Sequence, residues 1–276
     1  LIKMIALDLD GTLALANHAV SPATSEALKA LHDDGVEVVI ATGRRYRTTR
    51  YVIDNLGFEV FAVCNGGALV KDAEQATLHT ESFCVADLAD AARDAGLTLF
   101  AQRDAHDLGG ADFIIDNRNP WNEMTRLHRE RNAEWCDAAD LSQCDPEFMV
   151  AGSFGTLAEC QQLAESVEAA LPGQYNCIIV PHQDTGGYYC EIAQRHVDKW
   201  HGLSKLTQHF AIDADQVCAV GDELNDVPMI QNAGHGVAMG NGHADLQALA
   251  RYVCGHNDAD GIVDVVRYIR EFNDNL

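Results

Sequence analysis

The chain opens on a run of apolar residues, Met4-Ile5-Ala6-Leu7, that stops abruptly at Asp8-Leu9-Asp10-Gly11-Thr12, and this alternation of apolar run, polar stop and helix signal recurs twice before residue 68. Ser21-Pro22 reads as an N-cap with proline at the first helical position, Ala27, Leu28 and Leu31 form an apolar stripe, and Gly35 ends the helix. Val36 to Ala41 is a second buried strand, stopping at Thr42-Gly43-Arg44-Arg45. A helix from about Arg47 to Leu56 leads to a third strand, Val60 to Cys64, which stops at Asn65-Gly66-Gly67. Strands joined through helices by tight connections require right-handed crossovers, and hence a parallel sheet. Ligands bind such sheets beyond the carboxyl ends of the strands, so the three polar stops are expected to converge on one crevice.

The first stop is the most demanding. Strand side chains alternate, so Asp8 and Asp10 are expected on one side with Leu9 packed on the other. Two adjacent carboxylates repel unless a cation or a shared proton relieves them, which calls for a divalent ion or a division into acid and base. Gly11 permits a sharp turn, and Thr12 offers a hydroxyl where the next segment begins.

After residue 68 the pattern changes. Ala68 to Lys71 and Thr77 to Thr80 read as a short hairpin, followed by a helix from Val85 to Ala95. Strands are then predicted near Leu97 to Gln102, Phe113 to Ile115, Phe148 to Ala151, Ile178 to Pro181 and Tyr188 to Ala193, with a helix from Leu157 to Leu171. None of these strands ends in chemistry-bearing residues, which suggests an inserted α+β module over residues 84–189 between the two halves, 1–83 and 190–276, of an α/β core. The parallel pattern resumes with a helix from Val197 to Phe210 carrying Lys199, and a strand from Gln216 to Val220 that stops at Gly221-Asp222-Glu223-Leu224-Asn225-Asp226. A short strand from His235 to Met239 and a last helix from Gly261 to Phe272 close the chain.

A net charge of −23 argues against nucleic acid or an anionic membrane as partner, because both need concentrated Lys and Arg. An anionic substrate would need a local cation, which a metal supplies. No apolar run reaches the roughly 20 residues that span a bilayer, and the expectation is a cytoplasmic protein, monomeric or a small homo-oligomer. Nine cysteines without Cys-x-x-Cys spacing, several inside apolar runs (Cys64, Cys177, Cys190, Cys218), read as reduced core residues.

Together the strand ends supply Asp8, Asp10, Thr42, Asn65, Asp222, Asn225 and Asp226, with Lys199 beside them. This oxygen-only set suits Mg2+, which shares its shell with substrate phosphate, and a carboxylate is a competent nucleophile toward phosphorus. The ordered motifs Asp8 to Thr12, Thr42-Gly43-Arg44, Lys199 and Gly221 to Asp226 resemble the four motifs of the haloacid dehalogenase superfamily. Asn65-Gly66, the insertion between the second and third motifs, and Gly236 to Asn241 resemble its Cof-like hydrolase branch. The resemblance covers both ends of the chain, and it differs from the family in that Lys199 is followed by Trp200-His201-Gly202 rather than directly by glycine.

What the resemblance implies is a Rossmann-like three-layer core with a central parallel sheet, an inserted α+β cap domain, and a Mg2+-dependent phosphatase acting on small phosphorylated metabolites such as sugar phosphates. It makes Asp8 the nucleophile that becomes an aspartyl phosphate and Asp10 the acid and base. Mg2+ would lie on Asp8, Asp222 and the Asp10 carbonyl, with Asp226 nearby. Thr42, Lys199 and Asn225 would hold phosphoryl oxygens, helped by backbone amides from Leu9 to Thr12 and at Gly43, and the Asn65-Gly66 turn is expected to touch substrate. Alternatives are a phosphomutase, which would return the phosphoryl group to substrate, a receiver-like phospho-Asp signalling module, and a binding-only relic. Against a receiver stand Asp10, placed to hydrolyse such an intermediate, and the large insertion.

Arg44 and Arg45 are candidates for reading a second anion on the substrate. Arg118, Arg126, His128, Arg129 and Arg131 read as a helix surface balanced by Glu123, Glu130 and Glu134, with reach from the cap to such an anion as the sharper alternative. Thr42 suits an N-cap as well as a phosphate contact. Asp104-Ala105-His106-Asp107 and His196 with His201 are the densest histidine groups, and without an established ligand spacing they read as solvated loops.

Overall fold

Four consecutive fully buried residues form the first strand, β1 (Met4–Leu7), in a computed structural model of the protein that describes residues 1–106, 109–143, 147–182 and 186–275. Asp107 and Cys144 lie outside the described residues. α1 (Pro22–Asp33) starts where the sequence predicts, with Ser21 Oγ accepting the Thr24 N–H at 3.1 Å. β2 (Glu37–Ala41), α2 (Tyr46–Leu56) and β3 (Phe61–Cys64) follow, then the hairpin β4 (Leu69–Lys71) and β5 (Thr77–Thr80). Thr42 does not cap α2. Its N-cap is Arg45, and the Thr42 hydroxyl instead accepts the Arg44 N–H at 3.1 Å.

The middle of the chain adds α3 (Ala86–Asp94), β6 (Phe100–Gln102), β7 (Phe113–Asp116), α4 (Glu123–Arg131), β8 (Cys136–Ala139), β9 (Val150–Gly155), α5 (Leu157–Ala170), β10 (Tyr175–His182) and β11 (Gly187–Gln194). The last part holds α6 (Lys199–Phe210), β12 (Val217–Gly221), α7 (Val227–Asn232), β13 (His235–Ala238), α8 (Ala244–Leu249), β14 (Tyr252–Val253) and α9 (Gly261–Asp274). The chain divides into two compact units, Leu1–Thr80 with Val197–Leu276, and Glu81–His196. β11 runs through the boundary expected at 189 and stays in the second unit's sheet over its whole length.

In the first unit eight strands follow the order β14-β13-β12-β1-β2-β3-β4-β5, parallel from β14 to β3 and antiparallel through the closing hairpin. Alternation along β1 serves two faces at once. Met4 and Ala6 share a core with Leu203 and Leu206 of α6, Met229 and Ile230 of α7, and Leu246 of α8. Ile5 and Leu7 are equally buried and point the other way, to the side on which α1 packs against α9. A strand buried on both faces reads as a continuous apolar run, which is why β1 was legible.

The second unit is built on a six-stranded sheet of order β10-β11-β9-β6-β7-β8, antiparallel except for the β7–β8 pair. One face packs on α3 and α5 through Leu88, Ala92, Leu163 and Val167. The other carries an aromatic cluster, with Phe100 stacked on Phe154 at 5.1 Å and Met124 of α4 packed against it. Of the eight described cysteines, six are buried, in keeping with core packing.

Candidate active site

β1 sits between β12 and β2, and the chain leaves it in opposite directions for the two flanks of the sheet. This is the switch point at which an open parallel sheet offers a crevice. Asp8 follows β1 directly, its N–H bonded to Val220 O at 2.9 Å and its residue surface only 6% exposed. Leu9, fully buried, anchors the turn, and the Leu13 and Ala14 amides bond back to the carbonyls of Asp8 and Leu9 at 3.2 and 2.8 Å. Gly11 has φ +84°, and a Cβ there would lie 2.2 Å from Asp222 Oδ2, so backbone conformation and close approach both demand glycine.

Lys199 enters the same place from α6. Asp198 caps that helix by accepting the His201 N–H at 2.8 Å, which makes Lys199 its first residue. The first turn of α6 is pressed onto the turn after β3. A Cβ on Gly67 would come within 1.9 Å of the Asp198 carbonyl, and one on Gly202 would meet Val63 Cγ1 at 2.4 Å and the Gly67 carbonyl at 2.8 Å. The small residue that seats this helix therefore stands three positions after the lysine. The buried ammonium reaches Asp8 Oδ1 and Asp226 Oδ1, each at 2.5 Å.

Asp222 and Asp226 come from the end of β12, neighbour of β1. Thr12 Oγ1 donates to Asp222 Oδ1 at 2.7 Å, and Asp226 Oδ2 accepts the backbone N–H groups of Asp222 and Glu223 at 2.9 and 3.0 Å. Both Asp226 oxygens are thereby engaged. Burial, with Asp226 and Asp222 nearby, pushes the Asp8 carboxyl from 3.8 up to about 7 against the pull of Lys199. Burial raises the Asp222 carboxyl too, and Asp8 and Asp222 lie within hydrogen-bonding reach of each other. Burial alone would lower the Lys199 ammonium, but the Asp8 and Asp226 charges outweigh it and its pKa is raised.

Asp10 is not part of this buried group. β1 stops at Leu7, the alternation ends with it, and the half-exposed Asp10 carboxylate is gripped by Arg44 through Nε at 2.7 Å and a second contact from Nη2. Arg44 also meets His18 Nδ1 at 2.9 Å. Thr42 is 2% exposed, and among the described residues its hydroxyl accepts from Arg44 N–H but donates to nothing. Asn65 is buried at φ +50°, its N–H on Arg44 O at 2.9 Å, and the Gly66 N–H is on Thr42 O at 3.1 Å, so the ends of β2 and β3 are laced together. Gly43 and Asn225 are exposed. Arg118 is bound to Asp116 and, at 2.7 Å, to Asp90 within the second unit, a structural pairing.

Three supporting residues lie outside the strand-end set of catalytic candidates. Asn241 Nδ2 donates to Gly11 O at 2.8 Å, its Oδ1 accepts the Asn257 N–H at 2.9 Å, and Asn257 Nδ2 reaches Ala14 O at 3.2 Å. These two side chains brace the Asp8–Thr12 turn from far along the chain. His18 is the third, by its contact with Arg44. Of the three, Asn241 alone lies in a motif that the sequence offers, Gly236 to Asn241.

The profile of the haloacid dehalogenase-like hydrolases matches residues 5–266. The chain belongs to that family. This hydrolase is 26% identical to the phosphatase YwpJ of Bacillus subtilis over 97% of this chain and 100% of that protein. It is 27% identical to the 5-amino-6-(5-phospho-D-ribitylamino)uracil phosphatase YcsE of Bacillus subtilis, covering 97% and 95% of the two. Its fold matches that of a haloacid dehalogenase-like hydrolase from Bacteroides thetaiotaomicron with a TM-score of 0.78 at 24% identity, over 97% of this chain and 99% of the other. Among such relatives it is a phosphoric monoester hydrolase.

The donor set of this hydrolase fits a divalent metal. Asp8, Asp222 and Asp226 are buried with carboxylate oxygens within 4.8 Å of one another, and the Lys199 ammonium pairs with two of the three. The donors are all oxygen, as a hard cation requires. Asp226 is occupied by Lys199 and two backbone amides, so Asp8 and Asp222 are the residues that would touch the ion. Among the described residues, no helix is long and apolar enough to cross a membrane.

Proposed function

We propose that this hydrolase is a Mg2+-dependent phosphatase of small phosphorylated metabolites, sugar phosphates among them, and that it works through a phosphoryl group carried on Asp8. The observation that carries the reading is the buried Asp8 carboxyl at the sheet's switch point, held by Lys199 at 2.5 Å and set against Asp222. Mg2+ held by Asp8, Asp222 and the Asp10 carbonyl would supply the positive charge that lowers the Asp8 pKa and offsets that of a phosphate in a very acidic protein.

In this reading an Asp8 oxygen bonds to phosphorus as the ester P–O bond breaks, and Asp10 gives its proton to the departing oxygen. Asp10 then takes a proton from water as the water oxygen attacks phosphorus, and the Asp8–phosphorus bond breaks to release phosphate. Lys199 keeps Asp8 oriented and offers charge to the phosphoryl oxygens. We assign the Thr42 hydroxyl proton, the Gly43 amide and the Asn225 side chain to the same role. The second unit is assigned the choice of leaving group. The YcsE relative, named for a phosphorylated ribityl-uracil substrate, supports a small-metabolite class.

Hydrolysis of p-nitrophenyl phosphate should require Mg2+ and cease on chelation, and a screen of phosphorylated metabolites should identify the substrate. Undiminished turnover in EDTA would remove the metal from the reading. The Arg44 grip on Asp10 makes a separate prediction. Arg44→Ala is expected to lower kcat by about 10–100-fold for phosphate esters with or without a second anion, through a misplaced acid and base. A rise in KM confined to doubly anionic esters would show instead that Arg44 reads substrate.

Stability should report the Asp8 carboxyl directly. Its folded pKa, about 7, lies above the unfolded value of 3.8, so its contribution is fully present below about pH 3.8 and lost as pH rises through about 7. Without metal, the Tm of the native protein is expected to fall relative to that of Asp8→Asn across this window, and saturating Mg2+ should flatten the difference. Parallel pH profiles for the two metal-free proteins would show that Asp8 is not raised.

A further inference from the structure

A second group of potential ligands in the first unit has no part in the reaction described above. His79 lies on β5, opposite Val70 of β4, and His201 lies in the first turn of α6. Ring nitrogens of the two lie within 4.8 Å of each other. The ring centroids are 5.9 Å apart with the planes inclined at 52°, so the rings do not stack face to face. Both residues are half-buried.

We propose that His79 and His201 form a cation site for a borderline transition metal such as Zn2+, separate from the carboxylate cluster at Asp8. Zinc–imidazole bonds run about 2.0–2.1 Å, so two nitrogens on one ion sit roughly 3–4 Å apart. The donor types sort the two sites. Imidazole nitrogen suits Zn2+, Ni2+ and Cu2+, whereas carboxylate oxygen suits Mg2+. An ion here would tie the edge strand β5 to the first turn of α6, the helix that begins with Lys199. Neither histidine belongs to the proposed phosphoryl-transfer machinery, so the site stands or falls independently of the catalytic reading.

The test is calorimetric titration of the full chain with Zn2+ in saturating Mg2+, which occupies the oxygen site. The native protein should bind one Zn2+ that His79→Ala and His201→Ala each weaken by at least about 10–100-fold, the loss that even removal of an outer-shell partner brings. Zn2+ should also raise the Tm of the native protein more than that of either variant. His79→Asn, which keeps a polar side chain of moderate size, should lose binding equally. Equal Zn2+ affinity in native protein and variants, no uptake by the native protein, or retained binding in a folded His79→Asn would each overturn the proposal.

Discussion

Asp8→Asn is expected to abolish phosphate-ester turnover, by about four orders of magnitude or more if Asp8 is the nucleophile, and to leave the fold intact. The asparagine oxygen can still accept from Lys199, and its amide can donate to Asp222, so no buried group is orphaned. The change also removes one negative charge from a buried cluster in which burial and the neighbouring acids already hold the Asp8 carboxyl near 7. The metal-free variant should therefore melt no lower than the native protein above that pH, while its gain in Tm from Mg2+ shrinks because one ligand is weaker. An assay with p-nitrophenyl phosphate and melts with and without Mg2+ separate the two effects. Activity within about tenfold of native would exclude Asp8 as the attacking group.

Lys199→Met has the next largest consequence, and it strikes stability and chemistry together. The Lys199 side chain is 2% exposed and its ammonium lies 2.5 Å from both Asp8 and Asp226, whose oxygens cluster with those of the buried Asp222. Methionine fills similar length without charge, so Asp8 and Asp226 lose the buried ammonium that pairs with them. Removing one partner of a buried ion pair costs about 3–5 kcal/mol, and here the carboxyls can offset part of it by taking up a proton. Denaturation in urea should show the loss most strongly above pH 7 without metal, with partial recovery on adding Mg2+ or lowering the pH. Turnover should fall by about 100- to 1,000-fold, the usual cost of a missing charge stabiliser, and should not recover with Mg2+. A variant that is both stable and active would mean that Lys199 merely fills space.

The elements that the sequence disclosed are those whose own pattern suffices to bury them. β1 is apolar on both faces, and α1 has an N-cap, a proline and an apolar stripe. β8, α8 and β14 escaped because they are short and largely exposed, and their backbone is held by neighbouring elements rather than by their own periodicity. Strand alternation also misled at one point. It was carried through Asp8 to Asp10, although the strand ends at Leu7 and Gly11 turns the chain, so the two acids have different partners. Arg44 and Arg118, considered as substrate readers, are both engaged by carboxylates whose identity depends on strand pairing.

The amino-acid sequence by itself determined the parallel sheet, the chemistry at its strand ends and the family, because apolar periodicity and motif order are local and sequential properties. Only the tertiary structure decided which of those groups meet. The register Leu7↔Val220 brings Asp8 beside Asp222 and Asp226, and the seat of α6 on Gly67 delivers Lys199 between them. The strength of each charge depends on that burial, since an isolated aspartate in water has no reason to hold its proton near neutral pH.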